Sequence, residues 1–100
     1  MKIKILKDRI ADPQSFIRRC GYGRIVDRKT GEISYSRRLR GSLYPRFHVY
    51  IEEKDGHYFF NLHLDQRPAR YKGVTAHSGE YGGELVVKEA ELIKKYSICA

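Results

Sequence analysis

The sequence predicts an α+β domain: a small antiparallel sheet of about five strands with a C-terminal helix packed on one face and a short N-terminal helix. Three observations support this fold class. They are a β-hairpin whose register follows from its own apolar pattern, several short β-rich segments separated by turn residues, and one amphipathic helix near the end of the chain. A length of 100 residues predicts a single domain, residues 1–100.

The first segments predict a strand followed by a helix. Residues 2–7 alternate between charged and apolar side chains, which is typical of a strand with one buried face. Asp12 followed by Pro13 predicts an N-cap and the first helical position. We expect this short helix to continue to about Cys20 and to end at Gly21.

Two β-rich segments follow, at residues 22–27 and 32–38. The connection between them, residues 28–31, contains a glycine, so the pair is predicted to form a hairpin. Gly41 and Pro45 then interrupt regular structure before the next hairpin begins.

The segment 46–65 predicts the central hairpin and its register. Asp55-Gly56 favours a two-residue type I′ turn, because both positions of that turn need a positive φ. In this register one face is entirely apolar and carries Phe47, Val49, Ile51, Phe60, Leu62 and Leu64. On the other face His48 lies opposite His63, Tyr50 lies opposite Asn61, and Asp65 follows two residues after His63.

The end of the chain predicts a long loop and a helix. Residues 66–83 lack clear periodicity and contain several glycines, so we expect a functional loop, or a loop with a short strand near residues 73–76. From residue 84 to about residue 96, apolar side chains recur every three to four positions, which predicts an amphipathic helix.

Charge and composition limit the location and the partners. The chain has a formal net charge of +8, and residues 1–50 hold 13 Lys and Arg against 4 Asp and Glu, which predicts a basic patch that attracts polyanions. No apolar run approaches the ~20 residues that span a membrane, and the start does not resemble a signal peptide, so we expect a cytoplasmic protein without a membrane partner. Cys20 and Cys99 are expected to be reduced thiols, with a disulfide between them as the alternative.

Arginines and tyrosines form the predicted nucleic-acid-binding group. Arginine binds phosphate through its planar fork of donors, and tyrosine offers a stacking surface for unpaired bases. The alternatives are a solvated basic surface and a surface for an acidic protein partner. The group comprises Arg37, Arg38, Arg40, Tyr44, Arg46, Arg67, Arg70, Tyr71 and Lys72.

Histidines and a carboxylate form the candidate catalytic group: His48, His63, Asp65 and His77. With Glu80 they have the chemistry to bind zinc or another divalent metal. Without metal, one imidazole has the chemistry of a general base and another of a general acid in phosphodiester cleavage. The third alternative is a set of ordinary surface histidines. We predict that His63, Asp65 and His77 converge on one site, and no cofactor is assigned.

These observations favour a small basic nucleic-acid-binding domain, with RNA or single strands as the preferred ligand. The alternatives are a small phosphodiesterase or nuclease that uses the histidine group, and a module that binds an acidic protein and completes a sheet edge. A homodimer is also possible, since small sheets with an open edge often associate.

Overall fold

The computed structural model describes the backbone of residues 1–66 and 75–99 and the side chains of residues 1–66 and 83–98. Within these ranges the predicted α+β fold is confirmed. The elements, in chain order, are β1 (Lys2–Leu6), a 3-10 turn (Lys7–Arg9), α1 (Pro13–Arg19), β2 (Gly23–Val26), β3 (Ile33–Arg38), β4 (Arg46–Lys54), β5 (His57–Asp65) and α2 (Thr75–Cys99).

The five strands form one sheet in the order β1-β5-β4-β3-β2, and each neighbouring pair is antiparallel. Three of these pairs join strands that follow one another in the sequence: β2 with β3, β3 with β4, and β4 with β5. The fourth pair joins the first strand to the last, with Lys2 opposite Asn61. As a result, β1 and β2 are the two edges of the sheet within the described residues.

The central hairpin has the predicted register. Phe47 lies opposite Leu64, and His48 lies opposite His63. Asp55 and Gly56 both have positive φ, at 51° and 74°, as a type I′ turn requires. The six apolar side chains share one face, and they are buried or half-buried there. Because the pleat alternates sides, this register fixes His48 and His63 on the opposite face.

Both helices pack on the apolar face of the sheet. The core combines strand residues with Phe16 and Ile17 of α1 and Ala90 and Ile93 of α2. The rings of Phe16 and Phe60 meet edge to face, with their centroids 5.7 Å apart. Among the residues whose side chains are described, the buried apolar ones are Ile3, Ile5, Ile10, Phe16, Ile17, Tyr22, Tyr35, Phe47, Val49, Phe60, Leu62, Ala90 and Ile93.

The predicted cap of α1 is present. The Asp12 carboxylate accepts hydrogen bonds from the backbone N–H groups of Gln14 and Ser15, each at 3.3 Å. The helix is followed by Gly21, whose φ is +100°. A Cβ at this glycine would lie 3.0 Å from the Cδ of Arg37, so the position needs glycine both for its backbone conformation and for its neighbour.

The predicted loop at residues 66–83 is wrong in its C-terminal half. α2 begins at Thr75 instead of residue 84 and continues to Cys99 instead of about residue 96. The segment AHSGEYGG is therefore helical, and no strand forms at residues 75 and 76. The predictions for residues 67–74 lie outside the described residues.

Helix propagation explains this difference. Each internal glycine costs roughly 1 kcal/mol relative to alanine, which makes a helix less favourable without forbidding it. The C-terminal part of α2 is rich in strong helix formers, and Ala90 and Ile93 anchor it in the core. Once such a segment is fixed, each added residue gains a hydrogen bond without a new nucleation cost.

Cys20 follows α1 and is a free, half-buried thiol. Burial, together with the charge of Glu89, raises the pKa of Cys20 to about 11. The thiol is therefore protonated at neutral pH. The side chain of Cys99 lies outside the described residues.

Candidate functional site

The face of the sheet opposite the core carries most of the candidate residues, and we call it the polar face. Paired residues share a face and successive residues alternate, so its members follow from the register. The strands contribute five cations and two carboxylates to it. These strands place on it Lys2, Lys4, Leu6, Gly23, Ile25, Ser34, Ser36, Arg38, Arg46, His48, Tyr50, Glu52, Lys54, His57, Phe59, Asn61, His63 and Asp65.

His48 lies at the centre of a hydrogen-bonded chain on this face. Its Nε2 is 2.7 Å from the hydroxyl of Ser34, and its Nδ1 is 3.1 Å from Oδ2 of Asp65. The same oxygen of Asp65 accepts a hydrogen bond from Nε of Arg46 at 3.3 Å. Burial lowers the pKa of His48, although the charge of Asp65 opposes this effect. The imidazole is therefore mostly neutral at pH 7.

These hydrogen bonds limit the chemistry that His48 can perform. Both of its ring nitrogens are already engaged, so neither is free to bind a metal or to take a proton from a substrate. The order serine, histidine, aspartate matches the arrangement that activates a serine nucleophile. However, Ser34 is only 5% exposed, so its hydroxyl is closed to a substrate. The series of hydrogen bonds fixes the orientation of the His48 and Asp65 side chains.

His63 contrasts with His48, which lies directly opposite it. His63 is exposed, and its ring meets Tyr50 edge to face with the centroids 6.1 Å apart. Tyr50 also packs against His48, with the ring centroids 4.7 Å apart. The three rings form a cluster on β4 and β5, in which His63 is the exposed member among the described residues.

A second aromatic position lies nearer to β1. Phe59 is half-buried on the polar face, directly opposite Lys4. The ammonium group of Lys2 lies 5.6 Å from the centroid of the Phe59 ring. His57 lies 6.2 Å away on the same strand. This half of the polar face therefore combines an aromatic surface with two lysines.

Two arginines lie opposite each other at the other end of the polar face. Arg38 pairs with Arg46 in the register of β3 and β4. Like charges in this position repel each other. Arg46 is neutralised by Asp65 and lies over the ring of Tyr44, 5.0 Å from its centroid. Arg38 is exposed and has no ion-pair partner among the described residues. It is the cation most available to an anion here.

Arg37 is separated from this group by the pleat of β3. It lies on the core side, where its Nη2 donates a hydrogen bond to Oε1 of Glu89 at 2.7 Å. Its Nε donates to the other carboxylate oxygen at 3.3 Å, and the hydroxyl of Tyr22 donates to that oxygen at 2.6 Å. The guanidinium also lies over the ring of Phe47, 5.2 Å from its centroid. Arg37 thus ties α2 to the sheet.

The remaining predicted residues are placed in part. Arg40 is exposed in the connection between β3 and β4. His77 lies in α2, and its side chain is outside the described residues. Its convergence with His63 and Asp65 stays a prediction. Arg67, Arg70, Tyr71 and Lys72 also lie outside the described residues.

The described part of the chain contains no candidate metal-binding group. Among those residues, no three or more His, Cys, Asp or Glu side chains are grouped so as to hold an ion. His48 and Asp65 are close, but their facing atoms bond to each other.

Sequence reasoning did not select several residues that shape this site. Ser34 and Glu89 were missed because each acts through a partner distant in sequence. Lys2, Lys4 and Phe59 were missed because the pairing of β1 with β5 was not predicted. The alternation of Lys2 and Lys4 with isoleucines was the available signal, since it places both lysines on one face.

None of the described helices is both long and apolar enough to cross a membrane. Comparison of the chain with models of known families, with curated proteins and with solved structures gave no match.

Proposed function

We propose that this protein binds single-stranded nucleic acid, RNA in preference, across the polar face of its sheet. The observation that carries this proposal is the presence of partly exposed rings and several cations on one face, where Arg38 has no ion-pair partner among the described residues. The described core-forming side chains of α1 and α2 pack on the other face. Proteins that bind single strands commonly combine stacking rings with a cationic path for the backbone.

Stacking is supported by Tyr50 and Phe59. They lie on adjoining strands and are diagonal neighbours in the register, roughly 7–8 Å apart. Both rings are half-buried, so their edges are held by the sheet while part of each ring faces outward. Such a pair offers surfaces for two unstacked bases.

Backbone binding is supported by cations on both sides of these rings. Arg38 and Arg46 lie towards one end of the polar face, and Lys2 and Lys4 lie on its β1 side. A phosphate near Arg38 would also relieve its repulsion with Arg46. Arginine binds phosphate with two parallel hydrogen bonds, which adds geometric selectivity.

The preference for RNA rests on polar groups between the rings and the cations. Asn61 and His63 lie on β5 beside Tyr50. The amide nitrogen of Asn61 donates to the carboxylate of Glu52, so the amide oxygen is the group that Asn61 offers to a ligand. Amide and imidazole groups form hydrogen bonds with a ribose 2′-hydroxyl, which DNA lacks. We therefore expect tighter binding to RNA than to DNA of the same sequence.

Fluorescence anisotropy tests the proposal with labelled single-stranded RNA, single-stranded DNA and duplex of about 12 nucleotides, within the usual site size. Affinity for RNA should be highest and should fall steeply between about 50 and 200 mM salt. Arg38→Gln should reduce the salt slope by about one unit, because one phosphate contact is lost.

Lys95→Gln is the matched control, because it removes the same charge from an exposed position on α2. Tyr50→Ala and Phe59→Ala should each weaken binding to every sequence, by about 1–3 kcal/mol per stacked base. Absence of binding at low salt, or equal effects of Arg38→Gln and Lys95→Gln, would refute the proposal.

The nuclease alternative is tested in the same samples. Because both nitrogens of His48 are engaged, we propose binding without cleavage. The RNA should remain intact on a denaturing gel, with and without EDTA. Cleavage that is lost in His63→Ala would replace this proposal with a catalytic one.

A further inference from the structure

No strand in the described part of the chain pairs with the outer edge of β1, so main-chain groups on that edge lack a strand partner there. Met1 exchanges two backbone hydrogen bonds with Leu62, at 2.7 and 2.9 Å, and the Lys7 N–H donates to the Gly56 carbonyl at 3.1 Å. In an antiparallel pair, hydrogen-bonded and non-hydrogen-bonded residues alternate. The odd-numbered residues therefore face β5. The N–H and C=O groups of Lys2 and Lys4, and the N–H of Leu6, point away from the sheet.

A groove of about 390 Å³ runs along this edge. Three consecutive residues of β1 line it, Lys4, Ile5 and Leu6. Successive strand side chains point to opposite faces, so a groove that touches all three lies along the main chain. The opposite wall comes from α2 and includes Ile98, which is 71% exposed.

The lining of the groove combines apolar and basic side chains, together with His57 and Ser97. Ile5, Leu6 and Ile98 supply the apolar surface, and Lys4, Arg9 and Lys94 supply three cations. None of the described residues that line it is acidic. An occupant that complements this surface has apolar side chains and negative charge.

We propose that an extended segment of a partner protein, with alternating acidic and apolar residues, binds along β1 as a sixth strand. This inference goes beyond the proposed function, because it concerns the outer edge of β1 and a protein ligand, although the two surfaces share Lys2 and Lys4. The main chain of the partner segment pairs with the outward-pointing N–H and C=O groups of Lys4 and the N–H of Leu6, as in other cases of strand addition. Side chains opposite Lys2 and Lys4 are acidic and lie on the polar face. The partner side chains opposite Ile3 and Ile5 are apolar and contact Ile98.

A second copy of this chain fits the edge less well. In a symmetric antiparallel pairing of two β1 strands, the even-numbered residues face one another. Lys4 would then lie opposite Lys2, Lys4 or Leu6 of the second copy. Like charges directly opposite each other destabilise a sheet. An acidic strand instead places opposite charges in these positions.

Peptide binding tests the proposal in the full-length chain. The probe is a fluorescein-labelled peptide of about eight residues, the length of one strand, with alternating glutamate and valine. A control peptide has the same residues in two separate blocks. The alternating peptide should bind and the block peptide should bind about tenfold more weakly, because only alternation places all valines on one side.

Two substitutions on α2 form a matched pair. Ile98→Asp should weaken the alternating peptide about tenfold or more, because it removes apolar contact and adds repulsion. Leu92→Asp introduces the same charge at a residue that is 45% exposed and does not line the groove, so affinity should not change. Equal losses in both variants would overturn the proposal.

Hydrogen exchange gives a readout at single amides. On peptide binding the amides of Lys4 and Leu6 should exchange more slowly, since they gain acceptors. The amides of Ile3 and Ile5 already face β5 and should change little. Failure of the peptide to bind, or protection of Lys4 and Leu6 without peptide in a dimer seen by sedimentation, would refute the acidic-strand proposal. Ile98 belongs to α2 and not to the polar face, so Ile98→Asp should weaken the peptide and leave RNA affinity unchanged, and the two proposals fail separately.

Discussion

Replacing Arg37 by methionine should destabilise the fold through Glu89. The carboxylate of Glu89 has only 6% of its side chain exposed, and two of its three hydrogen bonds come from Arg37. The Arg37→Met variant keeps most of the side-chain volume but leaves this charge with Tyr22 alone. Burial, followed by the Glu89 contact, raises the pKa of Tyr22 well above its usual range, so that hydroxyl stays a donor.

The magnitude follows from the burial of the pair. Removing one partner of a fully buried ion pair costs about 3–5 kcal/mol. The side chain of Arg37 is 32% exposed, so water can partly replace it, and we expect a loss of about 2–3 kcal/mol. At about 4–8 °C per kcal/mol for a domain of this size, the melting temperature should fall by roughly 10–20 °C.

Thermal and urea unfolding followed by circular dichroism measure this loss. Arg38→Met is the control, since it makes the same change at the next residue on the opposite, exposed face. It should alter stability by less than about 0.5 kcal/mol. The double variant Arg37→Met with Glu89→Met should be more stable than Arg37→Met alone, because no buried charge remains unpaired. Equal melting temperatures for Arg37→Met and Arg38→Met, or no recovery in the double variant, would refute the reasoning.

Three further predictions concern the core residue Leu62, the central histidine His48 and the half-buried thiol of Cys20. Leu62 is fully buried, so Leu62→Ala should lower the free energy of unfolding by ~2–5 kcal/mol in urea titrations, and an unchanged midpoint would contradict its place in the core. Because burial lowers the pKa of His48 below its unfolded value of ~6.5, the unfolded chain binds more protons than the folded one at mildly acidic pH. Stability should be complete above about pH 6.5 and decline below it, and melting curves of His48→Gln should show a shallower decline; parallel profiles would exclude this role. In a Cys99→Ser background, Cys20 should react slowly with a thiol reagent at about pH 8 and rapidly in urea, because its pKa is about 11. A fast reaction in the folded protein would show that the thiol is accessible and ionised.

The central hairpin could be predicted from sequence because its information is local. Asp55-Gly56 specifies the turn, and a shift of one strand by one residue would move three of the six apolar side chains to the opposite face. The cap at Asp12 was predictable for the same reason, since its partners lie within three residues. The pairing of His48 with His63 followed from the register alone.

Long-range contacts set the features that could not be predicted. α2 extends back to Thr75 because Ala90 and Ile93 fix the helix in the core, whereas the glycines between residues 79 and 83 locally indicated a loop. Arg37 and Arg38 are chemically identical, yet Arg37 is held by Glu89, 52 residues away, and Arg38 has no ion-pair partner among the described residues. The face of each depends on how β3 pairs with β4. Likewise, only the position of Ser34 shows that His48 is fully engaged.

The sheet order also has a consequence for how the chain assembles. β1 is made first, yet its pairing partner is β5, with Lys2 opposite Asn61. Closing a loop of this length carries an entropic cost, so such contacts form after local ones. During synthesis β1 therefore cannot pair with β5 until the central hairpin has left the ribosome. The hairpin is the template on which the N-terminus docks, and slow synthesis between the two segments prolongs the interval in which β1 is unpaired.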